Sequence, residues 1–375
     1  MKIFVLTGTF HPEPGGPPTY LQHLLPALLA RGHEVRVLTY GEPYEHDYGY
    51  PVTRISRRAS IPLRLAQFTR AAFQLARWAD VWFVQGYTVP LLALRPLLRR
   101  RIVTKMVSDF SWEYARRHEL TALDVGAFQT AVHPPMVRLL RLLYGRSTRL
   151  SDALIVPSEH VARLARELGV PAQCIHVILN AVPDTGLATV ARAVLRRELG
   201  LPQDRPLLVS IGRLTAVKGF DVAIRALADV PDATLVIVGE GEQRAVLDEL
   251  AAPYGDRVRF VGRQPQETAL RYLRAADVFV LSSHTEGLSH VLLEAITVGT
   301  PAVATRVGGN PEILTDGVNG LLVPPDNPPV LAASINYLLA DPAYAAKLAE
   351  AGRRRSVDFS WVMVVQRTES LLKPG

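Results

Sequence analysis

The chain has 375 residues, a length at which two domains are the usual outcome because one hydrophobic core rarely serves so many residues. Hydrophobic residues make up 48% and charged residues 21%, as in ordinary globular proteins, and no apolar run approaches the ~20 residues that span a bilayer. The single cysteine, Cys174, excludes an internal disulfide and favours a reducing compartment. The start, Met1–Thr7, is too short for a signal peptide. We expect a cytoplasmic protein, with the inner face of the membrane as an alternative location.

The formal net charge is +7, with 42 Lys+Arg against 35 Asp+Glu. This excess favours anionic partners such as phosphates or anionic lipids. Nucleic acid is not expected, because the sequence contains no helix-turn-helix, zinc-finger or aromatic-basic RNA-binding pattern. Val89–Arg101 and Met136–Arg149 alternate apolar residues with arginines. Each could contact an anionic membrane peripherally, or could be a buried helix with exposed arginines.

The N-terminal half alternates predicted strands and helices. A strand at 3–7, a loop containing Gly15 and Gly16, a helix from about Thr19 to Ala30 and a strand at 34–39 form a βαβ unit. The loop has no G-x-G-x-x-G, so it is not the dinucleotide fingerprint. Further strands are predicted at 52–55, 81–85, 101–107, 153–158 and 177–180.

The alternation stops and then restarts. The segment 181–205 is rich in glycine and proline and is the predicted linker between domains. Apolar strands follow at 207–212, 234–239, 258–261, 278–282, 301–305 and 321–323, with helical patterns between them. Such alternation indicates parallel sheets covered on both faces. We therefore expect an α/β protein with two Rossmann-like doubly wound domains facing each other across a cleft, at 1–180 and 206–355, and a C-terminal helix in 356–375 that packs back on the first.

One stretch of the second half, Glu286 to Glu294, carries two carboxylates after a buried strand. A tight turn and a helix from about Leu288 are predicted there. At roughly 100° per residue the two glutamates lie within a quarter-turn of one face. Carboxylates accept hydrogen bonds from sugar hydroxyls, and a helix N-terminus attracts phosphate, so a nucleotide sugar would fit. The alternative is a surface helix with two solvated acids.

A second stretch, Gly212–Gly219, brings Arg213 and Lys218 to a glycine-flanked loop at the end of a strand. Such a loop favours a diphosphate clamp, and a solvated basic turn is the alternative. Gly239 follows the next strand and could let a ligand approach the backbone. Val307–Glu312 predicts either a turn with a helix cap or a ligand contact.

Taken together, these motifs resemble those of the family 4 retaining nucleotide-sugar glycosyltransferases, which have the GT-B fold. The resemblance rests on GRLTAVKG (212–219), VIVGEG (236–241), FVG (260–262), ADVFVLSSHTEG (276–287), LEA (293–295), VATRVGG (303–309) and DGVNGLLVPP (316–325). It implies transfer of a sugar, a hexose in the first instance, from a GDP- or UDP-sugar to a saccharide or lipid-linked acceptor. It also implies a front-face mechanism with no obligatory cofactor and no required metal ion.

The resemblance further implies roles for single residues. Arg213 and Lys218 would neutralise the diphosphate, Glu286 would lie against the donor sugar, and Glu294 would accept from the ribose. Further donor contacts would come from Gly15, Gly16, Gly212, Gly239, Arg263, Gly287, Leu288 and Ser289. Two rivals stay open: a sugar-nucleotide epimerase of the same architecture, and a degenerate protein that only binds the nucleotide sugar.

The chain departs from the family pattern after the strand at 101–107. Many members carry a His-Asp pair there, whereas this chain has Ser108 and Asp109. One hypothesis is that Asp109 lines the acceptor side and takes part in catalysis. The alternative is that it caps the helix containing Trp112. His11, His118 and His133 are other polar groups of the first domain.

Overall fold

The computed structural model describes residues 1–13, 15–96, 100–121, 123, 125–183 and 185–373. The chain divides into two compact units. Unit 1 comprises Met1–Leu179 and Trp361–Gly375, and unit 2 comprises Asn180–Ser360. The residues predicted as a linker, 181–205, lie in unit 2.

Unit 1 is built on a parallel sheet in which the strands lie in the order β3-β2-β1-β4-β5-β6-β7. Ile3 pairs with Val35 on one side and with Val81 on the other. The side chains of Ile3 to Leu6 are fully buried, as expected of a strand covered on both faces. The strands are β1 Lys2–Thr7, β2 Glu34–Tyr40, β3 Val52–Ile55, β4 Val81–Gln85, β5 Arg101–Lys105, β6 Ala153–Val156 and β7 Ile175–Val177.

The helices of unit 1 cover both faces of this sheet. Helix α1 starts three residues before the predicted Thr19, because Pro17 and Pro18 occupy its first turn, where no intrahelical N–H bond is lost. The helices are α1 Gly16–Leu29, α2 Ile61–Trp78, α3 Leu91–Leu94, α4 Phe110–Arg117, α5 Val125–Thr130, α6 Pro135–Thr148 and α7 Glu159–Glu167.

The last helix of the chain, α16 (Trp361–Leu372), belongs to unit 1 and packs against α1 and β5. Tyr20 Oη lies 3.4 Å from Thr368 Oγ1, and Arg31 pairs with Glu369 at 2.6 Å. These contacts join the two ends of the chain within one unit.

Unit 2 contains a second parallel sheet, in the order β10-β9-β8-β11-β12-β13. Its strands are β8 Leu207–Ile211, β9 Thr234–Val238, β10 Val258–Phe260, β11 Val278–Leu281, β12 Ala302–Thr305 and β13 Leu321–Val323. Its helices are α8 Arg192–Glu198, α9 Phe220–Ala226, α10 Arg244–Ala251, α11 Gln266–Ala275, α12 His290–Thr297, α13 Asn310–Ile313, α14 Pro328–Ala340 and α15 Pro342–Ser356. Helix α8, formed from the predicted linker, packs against α11.

The strand order determines which loops become neighbours in unit 2. The chain runs from β8 outward through β9 to β10 and then returns to β11 on the opposite side of β8. The carboxyl ends of β8 and β11 therefore form a topological switch point, where open α/β sheets bind ligands.

Candidate active site

The loops that follow β8 and β11 are joined by an ion pair. Lys218 Nζ, in the β8 loop, donates to Glu286 Oε1, in the β11 loop, at 2.6 Å. Ser283 Oγ donates to the same carboxylate oxygen at 2.7 Å. The predicted phosphate-binding lysine and the predicted sugar-binding glutamate thus lie in direct contact.

This ion pair is shielded from water mainly on the carboxylate side. The side chain of Glu286 is 9% exposed and that of Lys218 is 28% exposed. The interaction between the two charges is stronger here than in bulk water, because the surrounding dielectric is lower. Removal of either partner would leave the other charge poorly compensated.

Glycines bring the loops close enough for this pair to form. A Cβ on Gly219 would lie 2.2 Å from the carbonyl oxygen of Ser282, and the residue has φ +60°. A Cβ on Gly308 (φ +53°) would lie 1.6 Å from the carbonyl oxygen of Glu286. The Gly309 N–H donates to that same carbonyl at 3.2 Å. The Gly308–Gly309 turn thus supports the backbone of Glu286, a role that the sequence did not reveal.

Gly212 and Gly239 form a similar contact. A Cβ on Gly239, at φ +148°, would lie 1.8 Å from the carbonyl oxygen of Gly212. The two glycines therefore let the loops after β8 and β9 touch through their backbones. Their predicted contact with a donor stays a prediction.

Helix α12 begins two residues later than predicted. Ser289 is its N-cap and accepts from the Leu292 N–H at 3.3 Å, so the first helical residue is His290. The side chain of Leu288 is buried. Gly287 to Ser289 thus connect the Glu286 turn to a helix N-terminus, whose positive end favours anions.

Glu294 lies farther along α12 and has its own partner. Its Oε1 accepts from Gln266 Nε2, at the start of α11, at 2.9 Å. Burial raises the pKa of the Glu294 carboxyl to about 7, and the bond from Gln266 opposes this rise. Glu286 and Glu294 thus have different partners: the first is paired with a cation, and the second accepts from a neutral amide.

We expect the shifted pKa of Glu294 to make stability depend on pH. The folded-state pKa of about 7 exceeds the ordinary glutamate value of 4.5, so between these values the folded chain binds more protons than the unfolded chain. The free energy of unfolding should therefore fall as the pH rises through this window. Glu294→Gln removes the effect, so its melting temperature should rise relative to wild type between about pH 5 and about pH 8.

Differential scanning calorimetry would measure this difference. Glu267→Gln, which alters an exposed carboxylate on α11, is the matched control and should track wild type at each pH. A constant difference between Glu294→Gln and wild type across this range would contradict the raised pKa.

Two further predicted cations lie at the ends of strands in the same unit. Arg213 follows β8 and Arg263 follows β10, and both residues are exposed. Arg213 shares its loop with Lys218. Its guanidinium group is therefore available to a ligand at the β8 end of the sheet.

The remaining predicted residues belong to unit 1. Gly15, at φ +139°, immediately precedes α1, whose first residue is Gly16. Asp109 is fully buried and caps α4. Its carboxylate accepts from the Ser111 N–H at 2.8 Å and from Gln129 Nε2 at 2.9 Å. Asp109 thus caps α4, and its place on the acceptor side stays a prediction.

The three histidines named above also have local contacts. His11 Nδ1 lies 3.0 Å from Tyr48 Oη, and His133 Nε2 lies 2.8 Å from the carbonyl oxygen of Phe128. His118 is the C-cap of α4.

Asp109→Ala should lower the free energy of unfolding by about 1–3 kcal/mol, because a lost cap costs about 0.5–2 kcal/mol and the Gln129 amide loses one of its two acceptors, the other being the carbonyl oxygen of Val125. Asp109→Asn, which keeps an oxygen for the cap, should lose less. Urea unfolding of both variants would measure the difference. Equal midpoints for Asp109→Ala and wild type would show that the cap contributes nothing.

The sheet topology and the loops at the switch point define the class of the protein. Two doubly wound parallel-sheet units are the architecture of GT-B proteins, and solved structures match almost the whole chain. Sucrose-phosphate synthase from Thermosynechococcus elongatus is 25% identical with a TM-score of 0.84, covering 99% of this chain and 98% of that one. Anabaena HepE in complex with UDP and glucose is 23% identical with a TM-score of 0.80, at the same coverage. The predicted α/β GT-B fold is confirmed.

Family models account for most of the chain. A model described as Glycosyltransferase Family 4 matches residues 14–185, and one described as Glycosyl transferases group 1 matches residues 191–355. The GDP-mannose-dependent alpha-(1-6)-phosphatidylinositol monomannoside mannosyltransferase of Mycolicibacterium smegmatis is 31% identical over 379 residues, covering 95% of this chain and 94% of that protein. This chain belongs to the family 4 glycosyltransferases, as the motifs predicted.

Other relatives match over shorter stretches. The lipopolysaccharide core biosynthesis glycosyltransferase LpsE of Rhizobium meliloti is 38% identical over 219 residues, which are 58% of this chain and 62% of that protein. The D-inositol 3-phosphate glycosyltransferase of Xylanimonas cellulosilytica is 38% identical over 225 residues, which are 56% and 54%. The chain thus spans less than two thirds of these two relatives.

Proposed function

We propose that this chain moves a sugar from a nucleotide-diphosphate sugar to an acceptor hydroxyl, with retention of anomeric configuration. The observation that carries this proposal is the Lys218–Glu286 ion pair at the switch point of unit 2. It places a cation for phosphate and a carboxylate for hydroxyl groups side by side, and Arg213 adds a second cation on the same loop. Family membership supports the class of reaction.

The proposed chemistry relies on positive side chains placed beside the diphosphate leaving group, where negative charge develops during the reaction. An ammonium group has three donors, so Lys218 can contact a phosphate while it remains bound to Glu286. Arg213 offers a planar fork to the same diphosphate. As the bond between sugar and phosphate breaks, these cations stabilise the departing diphosphate, which in turn helps to deprotonate the acceptor. Because two side-chain cations meet the phosphate charge, we propose that no divalent metal ion is required.

The other contacts complete a donor site. Glu286 would lie against the sugar, Glu294 would accept from the ribose and Arg263 would contact the nucleobase. An ionised Glu294 accepts hydroxyl donors better than a protonated one, so donor binding would draw a proton from it. We also propose that the donor contacts the backbone at Gly15, Gly16, Gly212, Gly239, Gly287, Leu288 and Ser289.

The names of relatives indicate candidate substrates. A GDP-mannose-dependent relative and a neighbour bound to UDP and glucose make GDP- and UDP-hexoses the donors to test first. LpsE and the phosphatidylinositol-mannoside enzyme suggest a saccharide or lipid-linked acceptor, hence glycan or glycolipid biosynthesis. The sole cysteine, Cys174, is a free thiol, which supports a cytoplasmic location.

Proton NMR of reaction mixtures would test the proposal. Purified protein is incubated with each donor, with and without saccharide and lipid-linked acceptors, in the presence of EDTA. We expect a glycosylated product that keeps the donor's anomeric configuration and forms only with acceptor. An inverted product would refute retention, and loss of activity in EDTA would refute metal independence. An epimerised donor formed without acceptor would identify an epimerase instead, and donor binding without turnover would identify a degenerate binding protein.

A further inference from the structure

Unit 2 contains a cavity at the edge of its sheet that lies opposite the Lys218–Glu286 pair. The cavity has a volume of about 390 Å³. Residues that immediately precede β8, β11 and β12 line it, so it lies at the amino ends of these parallel strands. Strand β8 has five residues and rises about 16 Å. The cavity and the ion pair are therefore separate places on the same unit.

The polar wall of this cavity holds two guanidinium groups against one carboxylate. Arg196, on α8, is buried and donates from Nη2 to Asp277 Oδ2 at 2.7 Å. The same oxygen accepts from the Leu207 N–H at 2.8 Å. Arg192, one turn earlier on α8, approaches Asp277 at the longer distance of 3.6 Å. The charge of Asp277 is therefore used mainly by Arg196 and the backbone, and Arg192 is less well compensated.

A third guanidinium group lies close behind this wall. Burial lowers the pKa of Arg274, on α11, and the nearby charge of Arg192 lowers it further. Burial also lowers the pKa of Arg192, where Asp277 opposes the effect and Arg196 adds to it. The guanidinium group of Arg274 donates to two backbone carbonyl oxygens. These arginines thus repel one another in a half-buried place, and a bound anion would relieve that repulsion.

The charges around the cavity indicate how much negative charge it can accept. Of the charged side chains that line it, three are arginines and two are aspartates. Arg205 and Asp204 are the two that lie at the rim, where Arg205 also approaches the exposed Asp256 at 3.6 Å. Asp256 on the outside offsets Arg274 behind the wall. One positive charge remains in excess, which suits a monoanion.

The rest of the lining is apolar and comes mostly from α14 and α15. It comprises Pro301, Leu338, Leu339, Pro342, Ala345 and Ala346. A small inorganic ion would leave these side chains in contact with water, whereas a hydrocarbon group would cover them. The volume of the cavity falls within the roughly 300–1,000 Å³ of typical small-molecule sites. The lining therefore favours an organic anion over a bare ion.

We propose that this cavity binds a small carboxylate with an apolar body. The carboxylate would pair with Arg192, because a guanidinium group meets a carboxylate through two parallel hydrogen bonds. The hydrocarbon part would lie against α14 and α15. A phosphate monoester fits less well, because it carries a charge of about −1.5 to −2 at neutral pH. Such a ligand would be an effector rather than the sugar donor, and the proposal does not depend on the proposed sugar transfer.

Isothermal titration calorimetry of the full chain with naphthoate tests the site. The wild type should bind naphthoate at least about tenfold more tightly than acetate, which lacks the apolar body, or naphthalenemethanol, which lacks the charge. Arg192→Gln should weaken naphthoate binding about tenfold, because a charge-assisted contact is lost. Ala346→Leu should weaken it by a similar factor, because the larger side chain fills the apolar part of the cavity.

Matched variants control for changes elsewhere on the same elements. Arg197→Gln alters an exposed arginine of α8, and Ala343→Leu alters an exposed alanine of α15; neither residue lines the cavity. Both variants should bind naphthoate as the wild type does. Lys218→Ala should also do so, because the proposed diphosphate loop lies at the other edge of the sheet. Without ligand, Arg192→Gln should melt at or above the wild-type temperature, since it removes repulsion from the cavity.

Four results would overturn the proposal. The first is a wild type that binds none of the three probes, and the second is equal affinity for all of them. The third is unchanged naphthoate affinity in Arg192→Gln or in Ala346→Leu. The fourth is loss of naphthoate binding in Lys218→Ala, which would assign the anion to the proposed donor site instead.

Discussion

Lys218→Ala should lower kcat/KM by roughly 10²- to 10³-fold, the effect expected when one preorganised charge is removed from a developing oxyanion. Lys218 carries the positive charge that lies 2.6 Å from Glu286 in the loop proposed to hold the diphosphate. The substitution has two effects. It removes the positive charge that would stabilise the departing diphosphate. It also removes one of the two donors to the Glu286 carboxylate described above and leaves the Ser283 hydroxyl. Steady-state transfer with the donor identified by NMR would measure the loss.

Two controls separate the catalytic effect from loss of structure. Arg225→Ala removes an exposed cation from α9 of the same unit and should transfer sugar at the wild-type rate. Lys218→Ala/Glu286→Gln removes the unpaired carboxylate as well, so it should recover thermal stability without recovering activity. Parental transfer rates for purified Lys218→Ala would refute the assignment of the leaving-group charge to this residue.

Gly308→Ala should destabilise unit 2 by roughly 3 kcal/mol or more and abolish transfer in the fraction that folds. The added Cβ would lie 1.6 Å from the Glu286 carbonyl oxygen, so the turn holding Glu286 must move. Gly308 also has a left-handed backbone, which costs a residue with a side chain about 1–2 kcal/mol. Denaturant unfolding would measure the first effect, and nucleotide binding and sugar transfer by the folded fraction would measure the second.

Gly317→Ala is a matched control for this prediction. Gly317 also has a left-handed backbone, at φ +70°, but the nearest atom to its added Cβ is Tyr344 Oη at an ordinary 3.6 Å. It should show only the backbone cost, about 1–2 kcal/mol, and should bind nucleotide as wild type does. Equal behaviour of the two alanine variants would show that contact with Glu286 contributes nothing.

The sequence was sufficient to predict that Lys218 and Glu286 lie near each other. Each follows an apolar strand of the same parallel sheet, and carboxyl ends of parallel strands share an edge. Their direct pairing could not be predicted, because it depends on the path of each loop and on Ser283. The role of Gly308 was hidden for the same reason: a glycine pair in a turn does not identify the backbone it touches.

Which side chains of a stretch are buried could not be predicted from its composition. Val89–Arg101 and Met136–Arg149 look alike as sequences, yet Leu91 is buried and Leu139 is half exposed. Asp109 could be predicted to cap a helix or to face an acceptor. The structure shows the cap, which depends on the donors around the carboxylate, and one of these is Gln129, twenty residues farther along the chain.

Calorimetric titration of the wild type with nucleoside mono- and diphosphates tests the central claim, a diphosphate site at the Lys218–Glu286 switch point. We predict that UDP or GDP binds at least about tenfold more tightly than its monophosphate, because Arg213 and Lys218 each add a charge-assisted contact to the second phosphate. Lys218→Ala should lose most of that preference. Equal binding of mono- and diphosphates by the wild type, or a preference that survives in Lys218→Ala, would contradict the account.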